Sequence, residues 1–338
     1  MIQRHSTTGH AAYQDLLRAL NDGQVAQLRG TPTREIRSGR AYWYDSYRVG
    51  DQVKKSYIGE DTPELAARIE RHREIIQTEK DRAAHRTRLV RLLRAEGYLS
   101  ADSETGSILN AMAKTGVFRL GGTIVGTNAF RLYEGELGVR YSFDDLAQTG
   151  DIDIAQFERL SLALDDQVET ALVDTFRDLD FAPIPSLQGQ AVWRWKQTKS
   201  ETLIEFLTPS FRPEEDIRDL PALGVSAQSL HFLNYLIAEP IKAAVLYRSG
   251  VLVQIPRPER YAIHKLIVAD RRRNGPDALK AVKDRAQAAF LINALAEDRP
   301  DELRQAYEEA LANGPKWRDR IEATLKRLPE TQKILTRL

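Results

Sequence analysis

From about residue 101, helix-like segments alternate with short apolar runs that are typical of strands, and this alternation restricts the folds open to the chain. Glycine and proline separate many of these segments, as expected for turns between short elements. After about residue 257 the pattern becomes helical almost throughout. Strands and helices mixed in this way predict an α+β protein whose strands are collected in its middle part.

The first hundred residues have a different character. A short helix is expected over 10–21, and aromatic and β-branched residues around a glycine turn predict a hairpin over 40–58, turning at Val49-Gly50-Asp51. Thr62 and Pro63 then suit the N-cap and first position of a long basic helix that continues to Gly97. We therefore expect three units, which are an N-terminal module over 1–100, a core over 101–256 and a C-terminal helical region over 257–338.

Local patterns give further expectations for the middle of the chain. Val117 to Leu120 are interpreted as a short buried strand, and 210–225 as a loop because of its prolines and acids. A helix broken near Asp165-Asp166 is expected over 156–178, and a hairpin around Lys199-Ser200. The other expected elements are helices over 103–115 and 258–273, and short strands over 243–247 and 251–254. The stretch 277–337 is expected to be helical almost throughout, with interruptions near Arg299-Pro300 and Gly314-Pro315.

Composition excludes several classes of protein. The chain has no cysteine, so it has no disulfide framework, thiol nucleophile or thiolate zinc site. It has no apolar run long enough to span a membrane, and its first residues lack the apolar stretch of a signal peptide. We therefore expect a cytoplasmic protein without a membrane partner. Basic residues outnumber acidic ones over 1–100, which permits an anionic partner there.

Two carboxylates stand two residues apart in the strand-like run Asp151-Ile152-Asp153-Ile154. Residues at this spacing in a strand point to the same face, where like charges repel and make poor packing elements. Such a pair suits a hard divalent cation, which prefers oxygen ligands. The alternative interpretation is a solvated strand end, so the pair is a candidate metal site that needs further support.

That support comes from both sides of the pair in the sequence. Gly121, Gly122 and Thr123 follow the apolar run at 117–120, and glycines at such a place allow a phosphate to approach backbone N–H groups. Glu205 alternates with Ile204 and Phe206 in a second strand, where an acid is costly unless it is paired or binds metal. A plain turn and a solvent-facing glutamate are the alternatives.

Several motifs together resemble the bacterial GSU2403-type family of nucleotidyltransferase-fold proteins. The resemblance covers roughly residues 100–300. It is carried by Gly121-Gly122-Thr123, Val125-Gly126-Thr127-Asn128-Ala129-Phe130, Tyr133-Glu134-Gly135, Leu137-Gly138-Val139-Arg140, Thr149-Gly150-Asp151-Ile152-Asp153, Glu205-Phe206-Leu207-Thr208-Pro209, Val253-Gln254-Ile255-Pro256, Pro258-Glu259-Arg260, His264-Lys265-Leu266, Lys283-Asp284 and Gln287-Ala288.

The resemblance implies a polymerase-β-like core, a small mixed sheet flanked by helices, related in style to abortive-infection toxin nucleotidyltransferases. It implies that the glycine motif with Thr123 binds the triphosphate of an NTP. It also implies that Asp151 and Asp153 hold magnesium, with Glu205 as the third catalytic carboxylate and a ligand of a second Mg²⁺. Glu stands there in place of the commoner Asp, one methylene longer.

Basic residues after Pro258 are further candidates for nucleotide binding. Lys265 would neutralise charge on the leaving pyrophosphate, and its alternative is an ordinary surface lysine. Lys283 either contacts nucleotide or braces a helix pair together with Asp284. Arg131, Arg140 and Arg271-Arg272-Arg273 are candidates for phosphate contacts, whereas we interpret His264 as a packing residue.

The sequence thus favours an enzyme that moves an NMP from an NTP to an RNA, protein or small-molecule acceptor, with two Mg²⁺ ions and release of pyrophosphate. Two alternatives stay open at this point. One is a nucleotide-sensing module that keeps the fold without the activity. The other is a nucleic-acid-binding protein that acts through residues 34–94.

Overall fold

The computed structural model describes residues 2–22, 31–37, 40–49, 52–141, 150–163, 167–185, 191–274 and 276–338. Its helices are α1 (Thr7–Asp22), α2 (Pro63–Ala95), α3 (Ser103–Thr115), α4 (Gly126–Leu137), α5 (Glu158–Ala163), α6 (Leu172–Arg177), α7 (Leu233–Leu236), α8 (Pro258–Arg272), α9 (Ala278–Asp298), α10 (Pro300–Ala312), α11 (Pro315–Leu325) and α12 (Pro329–Arg337). Its strands are β1 (Thr31–Arg37), β2 (Arg40–Val49), β3 (Gln52–Glu60), β4 (Thr123–Val125), β5 (Asp151–Ala155), β6 (Phe181–Pro183), β7 (Arg194–Gln197), β8 (Leu203–Pro209), β9 (Ile217–Leu220), β10 (Val225–Leu230), β11 (Ile241–Val245) and β12 (Val251–Ile255).

The central sheet is mixed, with the strand order β4-β5-β8-β10-β9 and with β7 and β6 joined beside β8. β5 and β10 both run parallel to β8, whereas β4, β7 and β9 run antiparallel to their neighbours. Helices flank this sheet, and one hydrophobic cluster extends from Ile108 to Leu335. The predicted α+β class, with a small mixed sheet flanked by helices, is confirmed.

The N-terminal hairpin and the long helix are confirmed as β2–β3 and α2. The turn residues Gly50 and Asp51 of the predicted hairpin lie outside the described residues. A third strand, β1, pairs antiparallel with β2 and was not predicted, because Pro32 and the mixed polar residues around it give a weak strand signal.

α1 packs onto the central part of the chain through Tyr13. The hydroxyl of Tyr13 accepts a hydrogen bond from the backbone N–H of Ala244 on β11, at 3.1 Å. Its ring lies so close to Gly135 on α4 that a Cβ added there would stand 2.2 Å from the ring. A side chain at position 135 would therefore push α1 away from α4.

Two local predictions in the middle of the chain are wrong. Residues 117–120 form turns after α3 rather than a strand, because Gly116 ends that helix in the left-handed conformation and the turn closes from Gly122 N–H to the Val117 carbonyl. The segment 210–225 contains β9, which pairs with β10, and is not a loop throughout. Of the helix predicted over 156–178, the structure contains α5 and α6, and residues 167–171 before α6 are not helical. The predicted break at Asp165-Asp166 lies outside the described residues.

The remaining predicted elements are confirmed, namely the hairpins β7–β8 and β11–β12 and the helices α1, α3 and α8–α12. Helix α8 is buried along most of its length, because α9, α10 and α11 all pack against it. Among the described residues, no helix is long and apolar enough to cross a membrane.

Candidate active site

The central sheet brings the predicted carboxylates together. β5 and β8 are parallel neighbours in the register that places Asp153 beside Glu205 and Asp151 beside Leu203. Because alternate residues of a strand share a face, Asp151, Asp153 and Glu205 lie on one side of the sheet. Asp153 and Glu205 are close enough to share a hydrogen bond. The sequence predicts that each of these acids lies in a strand, and the register of β5 and β8 shows that Asp153 and Glu205 are neighbours.

The local electrostatics of this site are unfavourable for three ionised carboxylates. Burial, together with the charges of Glu205 and Asp151, raises the pKa of Asp153 to about 7. Burial also raises the pKa of Glu205, which Arg194 opposes from β7 and Asp151 reinforces. Arg194 Nη1 stands 3.9 Å from Glu205 Oε1, so it offsets only part of the negative charge. A cation at this place would relieve the repulsion.

The start of α4 lies against this cluster. β4 runs antiparallel to β5, and its last residue, Val125, is paired with Asp153. Gly126 follows with a φ of +65°, and a Cβ added to it would stand 2.3 Å from Asp153 Oδ2. The N-cap residue, Val125, provides no side-chain hydrogen bond to the N–H groups at the start of α4. Backbone donors of a helix N-terminus thus face the carboxylate edge, at a position that admits only glycine.

Gly121 and Gly122 lie at the other end of β4. Thr123 is paired with Ala155, two positions along β5 from Asp153, and the two glycines precede it, further from the carboxylates. Gly121 packs beside Leu160, and the Thr123 hydroxyl accepts a hydrogen bond from Gln254 at 3.0 Å. The structure therefore does not bring these three residues to the acids, and their nucleotide-binding role stays a prediction. Gly126 is the glycine that lies against Asp153.

The signal for Gly126 and Thr127 was present in the sequence. An apolar run, Thr123-Ile124-Val125, precedes them and a helix-forming segment follows. The strand predicted at 117–120, which the structure does not contain, favours the first glycine pair instead. The antiparallel pairing of β4 with β5 places Gly126, and not Gly121 or Gly122, next to Asp153.

Basic side chains from α8 and α9 face the carboxylates. The charges of Lys265 and Arg272 favour ionised Asp153, and Lys283 interacts with the charge of Asp151. Lys265 is itself held by Asp284, with 2.5 Å between Nζ and Oδ1, and Arg272 pairs with the other oxygen of Asp284 at 2.8 Å. Lys265 and Asp284 are both buried, whereas Lys283 is only half-buried.

This pairing changes the expected roles of the two lysines. Burial lowers the pKa of Lys265 and Asp284 opposes that shift, so the pair forms a fixed charged unit between α8 and α9. For Asp284, burial acts in the opposite direction and raises the pKa. The charges of Lys265 and Arg272 outweigh this effect and hold the pKa of Asp284 below its usual range. Lys283 is the more accessible cation for a ligand. Asp284 braces the helix pair, as one of the two interpretations anticipated.

Other basic candidates divide between different partners. Arg271 pairs with Glu215 and Arg273 with Asp270, so the run 271–273 does not act as one cluster. Arg131 donates to the Ser100 carbonyl at 3.0 Å, and Arg140 to the Glu96 carbonyl at 2.9 Å. His264 is buried, and burial lowers its pKa to about 3, so its ring is neutral and has the character of a packing residue.

The carboxylates do not form a closed metal cage. Among the residues that the structure describes, no group of three or more His, Asp or Glu side chains has the arrangement of a complete metal site. Magnesium is commonly bound by one or two carboxylates together with waters and substrate phosphates. The present donors are of that open kind.

Comparison with known proteins identifies the class. A family profile described as nucleotidyltransferase matches residues 103–312, which is more than half of the 338 residues, and the chain therefore belongs to that nucleotidyltransferase family. The family places the protein among the transferases. The resemblance found in the sequence is thus confirmed for nucleotidyltransferases in general, and the narrower GSU2403-type assignment stays a prediction.

Three further comparisons complete this result. Residues 12–67 match the profile of a domain of unknown function. An antigenic nucleotidyltransferase-like protein from Paracoccidioides brasiliensis is a similar solved structure, with 13% sequence identity, a TM-score of 0.34, and coverage of 67% of this chain and 95% of its own. This likeness is too distant to carry an argument. A search of curated proteins finds no match.

The raised pKa of Asp153 predicts a pH-dependent cost to stability. An unfolded aspartate loses its proton near pH 4, whereas the folded one keeps it to about pH 7. The folded state therefore binds more protons between these values, and the free energy of unfolding falls as pH rises through this window. Asp153→Asn removes the charge, so we expect the metal-free variant to melt a few degrees above the wild type at pH 8 and much closer to it at pH 5.

Thermal unfolding in EDTA at both pH values measures this difference. Asp319→Asn, at an exposed position of α11, is the matched control and should leave the melting temperature nearly unchanged. A stabilisation by Asp153→Asn of the same size at pH 5 and pH 8 would contradict the assignment.

Proposed function

We propose that the protein transfers a nucleoside monophosphate from an NTP to an acceptor hydroxyl and releases pyrophosphate. The observation that carries the proposal is the meeting of Asp151, Asp153 and Glu205 on one face of β5 and β8, directly against the start of α4. Carboxylates beside a helix N-terminus can bind a metal-bound triphosphate. The carboxylates supply oxygen ligands for the metal, and the helix N-terminus supplies N–H donors for the phosphates.

Magnesium fits the donor set. The three acids offer only oxygen atoms, they repel one another, and the pKa of Asp153 is raised by burial and by its two acidic neighbours. Asp151 and Asp153 would be the primary ligands, and Glu205 would join them at a second ion. When bound, Mg²⁺ neutralises phosphate charge and stabilises the attacking and leaving oxygens.

The triphosphate would lie between the start of α4 and α9. The N–H groups at Gly126 and Thr127 can donate hydrogen bonds to phosphate oxygens there, and close approach is feasible because position 126 carries no side chain. Lys283 would contact the phosphates directly. Lys265 is saturated by Asp284, so it would contribute through its field and by fixing α9 against α8.

The reaction follows from this placement. Glu205 takes the proton from the acceptor hydroxyl, and the acceptor oxygen forms a new bond to the α-phosphorus. The bond from that phosphorus to the oxygen bridging the α- and β-phosphates breaks, and pyrophosphate leaves with the electron pair. The chain's own groups orient the three reacting centres, and this orientation supplies much of the acceleration in phosphoryl-transfer chemistry.

The experiment compares wild type and Glu205→Gln with each α-labelled NTP, magnesium and cell extract. We expect the wild type to label an acceptor with at least one NTP, and the variant to lose that label, because an amide cannot take the proton. Digestion of the product with nuclease or protease identifies the acceptor class. Glu201→Gln, on the exposed β7–β8 turn, is the matched control that should retain labelling.

Equal labelling by wild type and Glu205→Gln would overturn the proposal. So would the absence of label from the wild type with every NTP when the purified protein is folded by circular dichroism.

A further inference from the structure

Two basic grooves flank the C-terminal half of α2, outside the carboxylate site. The first has a volume of about 450 Å³ and lies between α2 and the β11–β12 turn, with Arg91, Arg94 and Arg248 in its lining. The second has a volume of about 230 Å³ and is lined by Arg86 of α2 together with Lys114 and Arg119 at the end of α3. The β11–β12 turn borders both, through Ser249 and Gly250. We call the two together the basic grooves.

The first groove carries a positive charge that nearby acids leave uncompensated. Among the described residues that line the two grooves, none is acidic. Within the described part of the chain, no acidic side chain pairs with Arg91, Arg94 or Arg248. Other arginines behave differently, since Arg4 pairs with Asp298 and Arg299 with Glu136. A concave surface with charge of one sign attracts a polyanion.

The length of the surface favours a polymer over a single nucleotide. From Ala83 to Arg94 the helix rises about 16 Å, at about 1.5 Å per residue. A strand of duplex advances about 3.4 Å per phosphate along its axis, so this length matches about five phosphates. Arginine side chains spaced along a helix suit successive phosphates, because each guanidinium can donate two hydrogen bonds to one phosphate.

A chain of contacts connects the grooves to the carboxylates. Arg94 donates to the Ser100 hydroxyl at 3.0 Å, and Arg131 of α4 donates to the carbonyl of the same serine. The charge of Arg131 acts on Lys283, which in turn interacts with Asp151. Positive side chains therefore continue from the first groove to Lys283, which interacts with Asp151.

We propose that the basic grooves hold the phosphodiester backbone of an RNA strand and lead one of its hydroxyl groups to the carboxylate site as the acceptor. This inference rests on the proposed nucleotidyl transfer and assigns its acceptor class. The ribose oxygen bonds to the α-phosphorus, its proton passes to Glu205, and pyrophosphate leaves.

The shape and the polar groups of the grooves select RNA among polyanions. A concave surface does not match a flat bilayer, onto which a protein lays a projecting apolar face. Ser249 and Asn110 add neutral hydrogen-bonding groups beside the arginines, and these can bind the 2′-hydroxyl that DNA lacks. An acidic protein has no regular phosphate spacing to match the arginines of α2.

The test measures RNA binding separately from transfer. Fluorescence anisotropy with a labelled single-stranded RNA and the DNA of the same sequence is recorded for wild type and for Arg91→Gln/Arg248→Gln. We expect the double variant to bind RNA at least about tenfold more weakly, and the slope of log K against log salt to fall in magnitude by about 1.4 for two lost contacts. Lys326→Gln/Arg327→Gln, at exposed positions after α11, should bind as the wild type does.

The outcomes separate this inference from the proposed function. Unchanged RNA binding by the groove variant overturns the inference, and so does equal affinity for DNA or preferential binding of an acidic polypeptide such as polyglutamate. A third outcome is RNA binding that depends on Arg91 and Arg248 while no nucleotide is transferred to RNA. That result would support the basic grooves as an RNA-binding surface and would overturn RNA as the acceptor. Label transferred to protein by a wild type that does not bind RNA overturns the inference and leaves the proposed function standing.

Discussion

Asp151→Asn is expected to reduce nucleotide transfer by about 10³-fold or more. The substitution keeps the size of the side chain but removes one of the two carboxylates that would hold Mg²⁺. Loss of metal stabilisation of the transition state is worth several kcal/mol, and each 1.4 kcal/mol corresponds to about a tenfold change in rate. Label incorporation from α-labelled NTP under single-turnover conditions measures the effect.

A control variant distinguishes lost chemistry from lost folding. Asp174→Asn removes an exposed carboxylate from α6 and should leave transfer within about twofold of the wild type, as surface substitutions usually do. Circular dichroism should show Asp151→Asn as fully folded. Transfer by Asp151→Asn at near wild-type rate would exclude this aspartate as a metal ligand.

Asp284→Ala is expected to destabilise the fold by about 3–5 kcal/mol, the cost typical of breaking a buried ion pair. Asp284 and Lys265 are nearly fully buried, and Arg272 shares the same carboxylate. Removing the carboxylate therefore leaves the Lys265 ammonium in an apolar interior without its partner. Urea unfolding followed by tryptophan fluorescence measures the change.

Two further variants test the cause. Lys265→Met/Asp284→Leu removes both charges, and we expect it to recover much of the lost stability, because replacing a whole buried pair by apolar residues is often neutral. Asp301→Ala, on the exposed first turn of α10, should change the unfolding free energy by less than about 0.5 kcal/mol. If Asp284→Ala unfolds within about 1 kcal/mol of the wild type, the pair does not brace α8 against α9.

The acids of the candidate site could be found from the sequence, but their neighbourhood could not. Strand alternation places Asp151 and Asp153 on one face and puts Glu205 in a second strand. Only the parallel register of β5 and β8 makes Asp153 and Glu205 adjacent, and a register is a long-range property that no local pattern encodes.

The glycines illustrate how one wrongly predicted strand changes which candidate site residue is favoured. Val117 to Leu120 have the apolar character of a strand, yet they turn back after the left-handed Gly116. A strand at these positions favours Gly121 and Gly122 as the phosphate-binding candidates, whereas in the structure β4 ends at Val125, opposite Asp153, and Gly126 follows it. Composition does not distinguish two glycine-containing turns, and the antiparallel pairing of β4 and β5 shows which of them lies beside Asp153.

The charged side chains of α8 and α9 illustrate a second limit. Lys265, Lys283 and Asp284 were each candidates from the sequence, but their division of roles depends on which helix faces which. The packing of α9 onto α8 joins Lys265 to Asp284 across 19 positions of sequence and leaves Lys283 toward the carboxylates. Propensity fixes the two helices, and tertiary packing decides the pairing.

The packing of Tyr13 against Gly135 determines which residues must accompany the family segment, 103–312, when it is produced as a fragment. The family segment begins at residue 103, yet α4 rests on α1, far upstream of that point. A fragment that starts at residue 103 would lose the partner of the Ala244 N–H and uncover the Gly135 side of α4. Because the opposite end of α4 lies beside Asp153, this loss would loosen the helix whose N-terminus we propose as part of the triphosphate site. Residues 7–22 therefore belong with the transferase segment in any excised unit.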